Sequence, residues 1–314
     1  MVRAIHRIYL LAGTLMLGVL LALFLAFLSS GSKAQAQDTT GDPVLLAAGD
    51  IAQCTSQNDE ATAALLGNMP GATVATLGDN AYLHGTEQDY QNCYHPSWGL
   101  YKAQTRPTPG NHEYDTAGAS GYYYFNYFRE ELLSFGTAAG DPTKGYYSYD
   151  LGSWHVVVLN SNCGRVEGGC GGTSPQVQWL NADLAAHPSA CTLAYWHHPR
   201  FSSSQTSTPL AAFWNALYKA RAEVVLNGHQ HNYERFAEQT TGGVAKVGRG
   251  IREFVVGTGG APLHAFTRVA SNSEVRNATA YGILKFTLHA SSYDWEFVPV
   301  AGQSFPDSGT TNCH

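Results

Sequence analysis

The sequence predicts an α/β protein, a sheet of largely parallel strands with helices between them and a strand-rich tail. Two observations carry this. Short apolar runs alternate with stretches of helical character along most of the chain. Four of those runs also stop at the same kind of residue: "PVLLAAGD" at Asp50, "ATVATLGD" at Asp79, "TLAYWHH" at His197 and His198, and "EVVLNGH" at His229. Ligands of open α/β sheets gather beyond the carboxyl ends of the strands, so these side chains are expected to converge.

The first 36 residues stand outside the pattern. Arg3 and Arg7 precede an apolar run from Ile8 to Leu28, and Ala34-Gln-Ala36 is a small-residue cleavage signature, so residues 1–36 read as an export signal and 37–314 as the mature domain. The run is long enough to span a bilayer, which leaves a retained anchor as the alternative. Next, "NDEATAALLG" between the first two apolar runs is helical in character. Further on, "SPQVQWLNADLAAH" has Ser174 to cap a helix, Pro175 at its first position, and Val177, Leu180 and Leu184 for its buried face. In the tail, "REFVVGTGG", "YGILKFTL" and "YDWEFVPV" are separated only by loops, which predicts antiparallel strands that extend the sheet or form a second one. No linker or repeat divides the chain.

Charge narrows the partners. Lys and Arg number 18 against 24 Asp and Glu, and the first 36 residues hold three basic residues (Arg3, Arg7, Lys33) and no acidic one, so the mature chain has 15 against 24, a net of −9. That balance offers no basic stripe and excludes nucleic acid as the main partner. All six cysteines follow the signal, which suits an oxidising compartment, and no C-x-x-C occurs to suggest a cysteine metal cluster. Cys163 and Cys170 flank a short Gly-rich loop and are expected to pair locally, with Cys54–Cys93 and Cys191–Cys313 as the remainder, although spacing does not fix the connectivity.

Asp50, Asp79, Asn111, His197, His229 and His231 make a donor set of oxygen and imidazole without sulfur, which suits borderline-hard metal ions. Six donors are too many for one ion, so two are expected. Alone, each Asp reads more readily as a turn or cap residue and each His as a hydrogen-bonded loop residue; the joint pattern argues for metal. His229 and His231 lie one residue apart where a strand breaks into a loop, so on a continuing strand they would share a face, but the loop lets the backbone turn between them.

The ordered motifs GD at Asp50, GDNAY from Asp79 to Tyr82, GNHE from Asn111 to Glu113, HHP at His197 and GHQH at His229 and His231 resemble those of calcineurin-like metallophosphoesterases. The tyrosine in the second motif makes the resemblance that of a purple acid phosphatase, and the tail is similar to secreted bacterial members of the group. The resemblance implies a four-layer α/β/β/α metallophosphoesterase sandwich over residues 37–314, with two metal ions at the strand ends. It implies one site of Asp50, Asp79, Tyr82 and His231, another of Asp79, Asn111, His197 and His229, and Asp79 shared between them.

The general pattern begins Asp-x-His, whereas Ile51 and Ala52 follow Asp50 here, so Tyr82 stands as the replacement donor. A free tyrosine ionises near pH 10, so its ligation calls for a strongly polarising ion, and Fe(III) fits the first site. A divalent ion, Zn, Fe or Mn, fits the second. Tyr82 as an aromatic wall over a different metal pair is the alternative.

The function so implied is a secreted or cell-envelope phosphatase that hydrolyses phosphate monoesters by attack of a metal-bound hydroxide, with no phosphoenzyme. A phosphodiesterase or nucleotide-specific hydrolase on the same metals is the alternative, and a non-catalytic phosphate-binding protein is a third class. The expected partner is a small phosphorylated substrate, with no stable membrane association after signal cleavage. His112 is implied to contact the phosphate or leaving oxygen. His198 is a candidate general acid or a ring packed beside the site. Arg200 is a candidate phosphate ligand or a surface residue. The plant and mammalian enzymes have further histidines after the H-x-P segment, and here the chain reads "RFSSSQTST"; with Asp50 close to the expected mature start, the N-terminal β-sandwich of the plant enzymes is not expected either. Among the other histidines, His264 after "GTGGAPL" is the one a Gly-rich turn would bring towards the cleft. Asn277-Ala-Thr279 is a glycosylation sequon, and "GYYYFNYF" reads as an aromatic core or a cleft wall.

Overall fold

The computed structural model describes residues 41–116, 118, 120–129, 138–204 and 210–314. The expected export signal lies outside them. Among the described residues two sheets carry the fold. The first joins the mutually parallel β1 (Val44–Ala48), β3 (Thr73–Thr76) and β5 (Thr105–Pro107) to the C-terminal strands β13 (Gly282–Leu288), β14 (Ser292–Pro299) and β15 (Ser308–Asn312), in the order β15-β14-β13-β1-β3-β5. The second contains β6 (Tyr147–Leu151), β7 (Trp154–Val158), β8 (Cys191–Tyr195), β9 (Val224–Asn227), β10 (Tyr233–Phe236), β11 (Arg252–Val256) and β12 (Ser273–Asn277), in the order β12-β10-β11-β9-β8-β7-β6. A two-residue parallel pair, β2 (Ala52–Gln53) and β4 (Ala81–Tyr82), sits beyond the ends of β1 and β3 and fixes the backbone of Tyr82.

Strand alternation divides the second sheet between two cores. Trp154, Val156 and Val158 of β7, Leu193 and Tyr195 of β8, and Val224 and Leu226 of β9 share one apolar cluster with Leu46, Val74, Phe286 and Trp295 of the first sheet. The intervening Val157, Ala194 and Val225 join a second cluster with Val177 and Leu180 of the helix Pro175–Ala186 and Phe213, Trp214 and Leu217 of the helix Ala211–Lys219. A strand buried on both faces must be apolar at every position, which is why these strands read as continuous runs rather than as alternation. Rings close the gap between the sheets, Phe254 on Phe286 at 5.4 Å and Trp154 on Tyr293 at 5.8 Å. On the outer side of the first sheet, the helix Asn58–Gly67 contributes Ala63 and Leu66 to the large cluster. This is the expected α/β/β/α layering.

Local chemistry agrees with the sequence reading in most places. Ser174 caps its helix, accepting the Val177 N–H at 3.3 Å, and Pro175 occupies the first turn. The cysteines pair as Cys54–Cys93, Cys163–Cys170 and Cys191–Cys313. Two tail strands, β13 and β14, are antiparallel and extend the first sheet through β1. The "REFVV" strand departs from the expectation. β11 runs parallel to β9, because the chain first makes β10 one position further out and then returns to fill the place between them.

The Asn277 side chain is buried and turned inward, its Oδ1 accepting the Thr279 and Ala280 N–H groups and its Nδ2 donating to the Ala280 carbonyl at 3.2 Å. The folded protein therefore does not present the sequon for glycosylation. In "GYYYFNYF", Tyr124, Phe125, Tyr127 and Phe128 are buried, and Tyr127 stacks on Tyr90 at 4.8 Å, so the segment is an aromatic core. Among the described residues no helix is long and apolar enough to cross a membrane.

Candidate metal centre

Five loops meet where the parallel strands of the two sheets end. β1 delivers Asp50, β3 delivers Asp79, the turn after β5 delivers Asn111 and His112, β8 delivers His197 and His198, and β9 delivers His229 and His231. The sheets are stitched together at this edge, the Gly49 N–H donating to the Val256 carbonyl at 2.9 Å. Asp50, Asp79 and His229 all have positive φ, at 59°, 52° and 68°. Such conformations cost a non-glycine residue of order 1 kcal/mol or more and persist where the surroundings impose them. They turn the chain sharply enough to aim each side chain back over the strand ends.

The glycine before each acid or imidazole has its own reason. A Cβ on Gly228 would lie 2.8 Å from Asp50 Oδ2, and one on Gly78 would lie 2.6 Å from His197 Nδ1. The GD and GH dipeptides thus record how closely the loops approach each other.

Two clusters of donor atoms result. In the first, the Tyr82 hydroxyl lies 2.9 Å from Asp50 Oδ1, 3.1 Å from Asp79 Oδ2 and 3.0 Å from His231 Nε2, and His231 Nε2 is 3.3 Å from Asp50 Oδ1. In the second, His197 Nε2 lies 3.1 Å from Asp79 Oδ2, 3.2 Å from Asn111 Oδ1 and 3.3 Å from His229 Nδ1. Asp79 Oδ2 belongs to both. Donors bound at about 2.0–2.2 Å to one tetrahedral or octahedral ion stand roughly 2.8–3.5 Å apart, and every separation here is in that range.

The proton count supports the same fit. His231 Nδ1 and His197 Nδ1 face the carbonyls of Pro262 and Leu77, each at 2.8 Å, so both must carry hydrogen and both Nε2 atoms are left as lone pairs when the rings are neutral. The single proton of Tyr82 then faces three acceptors, and Asp79, Asn111 and His197 turn acceptors towards one another. Such a set lacks positive charge. Without a cation, protons supply it: burial pulls His197 down, but the Asp79 carboxylate outweighs this and carries the ring up to about 9, while Asp50 raises His231 against its burial. Burial followed by the Asp50 and Asp79 charges holds the Tyr82 phenol well above its usual range. Asp50, Asp79 and His197, and likewise His197, His198 and His229, bring ligand atoms close enough together to hold a metal ion.

The remaining oxygens are tied down. Asp50 Oδ2 accepts the His229 N–H at 2.8 Å, and Asp79 Oδ1 accepts the His112 N–H at 2.9 Å, so each carboxylate has one oxygen fixed and the other aimed into the cluster. Glu113 does more than the sequence reading gave it. It is buried and accepts the N–H groups of Asp79 at 2.9 Å, Asn80 at 2.8 Å and Gly110 at 2.6 Å and the Tyr90 hydroxyl at 3.1 Å. One carboxylate thus braces the loops carrying Asp79 and Asn111. A charged residue directly after the candidate ligands was the available signal, and a buried carboxylate persists only when saturated with donors.

The other candidates fall at different distances from the cluster. His112, part-exposed, has Nε2 3.8 Å from Asp79 Oδ2, and its Nδ1 is held by the Leu83 carbonyl and by Asp115 Oδ2 at 3.3 Å. His198 packs its ring on His229 and His197 at 4.4 and 4.9 Å, and Ser161 Oγ, already accepting the His198 N–H at 3.0 Å, meets Nδ1 at 2.9 Å. Burial, then the neighbouring imidazoles, pushes His198 down to about 2. That environment disfavours the charged ring and suits the alternative reading of His198 as a ring packed beside the site. Arg200 directs its guanidinium to the Thr241 carbonyl at 3.3 Å and over the Phe201 ring, while Glu253 accepts its backbone N–H at 3.0 Å. Its position ties a loop, and phosphate binding by Arg200 draws no support from it.

Two facing sheets with carboxylate, amide, imidazole and phenol donors on their common edge define the class of a metal-dependent phosphoesterase. Residues 35–233 match the family model of the calcineurin-like phosphoesterases, and the chain belongs to that family. It is 28% identical over 187 residues to purple acid phosphatase 22 of Arabidopsis thaliana, an alignment covering 52% of this chain and 42% of the relative. Its fold is similar to that of the purple acid phosphatase PPD1 from yellow lupin (Lupinus luteus) seeds, with a TM-score of 0.66 at 18% identity over 86% of this chain and 53% of that one. It is also similar to GAP50, the anchor in the inner membrane complex of Plasmodium, with a TM-score of 0.65 at 12% identity over 87% and 90% of the two chains. The chain spans about two-fifths of the length of the curated relative. Likeness at these identities shows the fold alone.

Proposed function

We propose that the protein is an exported phosphatase that hydrolyses phosphate monoesters at a centre for two metal ions. The observation that carries this is the pair of acceptor-rich clusters sharing Asp79 Oδ2, each short of positive charge and each spaced for one ion. Asp50, Asp79, Tyr82 and His231 would hold Fe(III), because only a strongly polarising cation takes the proton from a phenol that burial and two carboxylates hold in place. Asp79, Asn111, His197 and His229, with one shared charge, would hold a divalent ion such as Zn, Fe or Mn. When bound, such a pair supplies Lewis acidity towards water and the phosphoryl oxygens.

The chain's own groups do the rest. His112 stands beside the shared carboxylate with one nitrogen fixed and the other aimed at the cluster, which places it to contact the phosphoryl group or leaving oxygen. His198 supports His197 and His229 from behind. The mouth is formed by part-exposed His112, His229 and His231 and by exposed Leu83, so recognition beyond the phosphoryl group is slight.

An aryl phosphate monoester should therefore turn over much faster than the matching diester, measured by release of the chromophore from metal-replete protein. A preference for the diester would replace this reading with a phosphodiesterase on the same residues. Export rests on the N-terminal signature and on the three disulfides. N-terminal sequencing of exported protein should begin near Gln37. Intact Met1 on membrane-bound material would contradict it.

A further inference from the structure

We propose that His264 is a substrate-contact residue, its imidazole donating a hydrogen bond to an oxygen of the bound phosphoryl group on the His231 side of the centre. The proposal rests on the phosphatase reading above and names a residue that recognises the substrate there.

The segment that carries His264 is built onto the centre. Past β11 the chain runs through Gly257–Gly260, and its backbone is sewn to the loops bearing two of the donors. Gly259 N–H donates to the Gly49 carbonyl at 3.0 Å and Ala261 N–H to the Asp50 carbonyl at 2.9 Å. On the other side His264 N–H donates to the His231 carbonyl at 2.8 Å, and the Pro262 carbonyl accepts from His231 Nδ1 at 2.8 Å. Asn232 Nδ2 closes the segment by donating to the His264 carbonyl at 3.4 Å. The backbone of His264 is thus fixed relative to Asp50 and His231.

Its ring is ordered too, yet it is left without a polar partner. It lies parallel to the His231 ring, 4.5 Å between centroids and 11° between planes. Among the described residues nothing hydrogen-bonds to it, and the residue is exposed. Ring contacts link four side chains in succession: His112 with Tyr82 at 4.6 Å, buried Tyr82 with His231 at 5.8 Å, and His231 with His264. The inner two belong to the first donor cluster, and the outer two are imidazoles open to solvent. His112 and His264 thus each adjoin a ring of that cluster, His112 by Tyr82 and His264 by His231. An imidazole carries an N–H in either protonation state, so the contact needs no titration. Stacking has already removed much of the side-chain freedom that binding would otherwise cost.

The rival role for the ring is to brace His231 by stacking alone, and two variants separate the roles. His264→Phe keeps an aromatic face on His231 and removes the donor, whereas His264→Ala removes both. Orthophosphate binding to metal-replete protein, by titration calorimetry, is the readout, with metal content by elemental analysis beside it. Both variants should retain their ions and bind orthophosphate about tenfold more weakly than the unmodified protein, the loss of one hydrogen bond to a charged group. KM for an aryl monoester should rise in parallel, with kcat little changed. Wild-type affinity in His264→Phe overturns the contact in favour of stacking, as does loss of metal from either variant. An unmodified protein that binds orthophosphate but hydrolyses no ester would sink the proposed activity, while the affinity difference would still decide the contact.

Discussion

Asp79→Ala is expected to yield a folded protein that binds neither ion firmly and has lost at least about 10⁴-fold in turnover, the largest single effect this structure predicts. The reason is the geometry of one oxygen. Asp79 Oδ2 lies 3.1 Å from the Tyr82 hydroxyl and 3.1 Å from His197 Nε2, so it is the only atom common to both donor clusters. Losing it leaves three donors for each ion and removes the charge they share. The other oxygen accepts the His112 N–H at 2.9 Å, so the substitution also strands that donor, at a cost of about 1–3 kcal/mol. Neither effect reaches the apolar clusters between the sheets or under the outer helices, so the fold should survive. Elemental analysis and a thermal melt check the two halves of the result. Asn111→Ala, which touches one cluster only, should lower the content of one ion and spare the other.

The second large effect separates two neighbouring imidazoles. His112→Ala should lower kcat by about 10²–10⁴-fold, more for esters with poor leaving groups, if the ring assists the departing oxygen. His198→Ala should cost less and should cost the same for good and poor leaving groups. His112 faces the mouth beside the shared carboxylate. His198 is enclosed by His197, His229 and Ser161, in surroundings that keep its ring neutral. Measuring kcat for a series of aryl monoesters of graded leaving-group acidity gives the answer. A steeper dependence in His198→Ala than in His112→Ala would reverse the assignment.

Much of the centre was legible because its residues sit at strand ends. A buried parallel strand is an apolar run, its end is where a polar residue first appears, and four such ends point the same way. The pairing of Tyr82 with Asp50, Asp79 and His231 was legible only through the resemblance, since nothing in the spacing of GDNAY shows that β2 and β4 pair and pin that tyrosine. Glu113 was visible but not interpretable. Its partners are backbone N–H groups from two loops, and backbone positions leave no mark in sequence. The place of "REFVV" beside β9 was missed for a related reason: loop length gives the likelihood of a hairpin with β10 but not the side on which it inserts. For Arg200, motif proximity says nothing of direction, and its guanidinium contacts the Thr241 carbonyl.

The most direct test of a two-ion centre with a phenol ligand is the elemental analysis of purified protein together with its visible spectrum. Two ions per chain, one of them iron, and a charge-transfer band that vanishes in Tyr82→Phe are the predicted result. One ion or none per chain under metal-replete conditions would contradict the centre itself, and two ions with no band in the unmodified protein would contradict the place given to Tyr82.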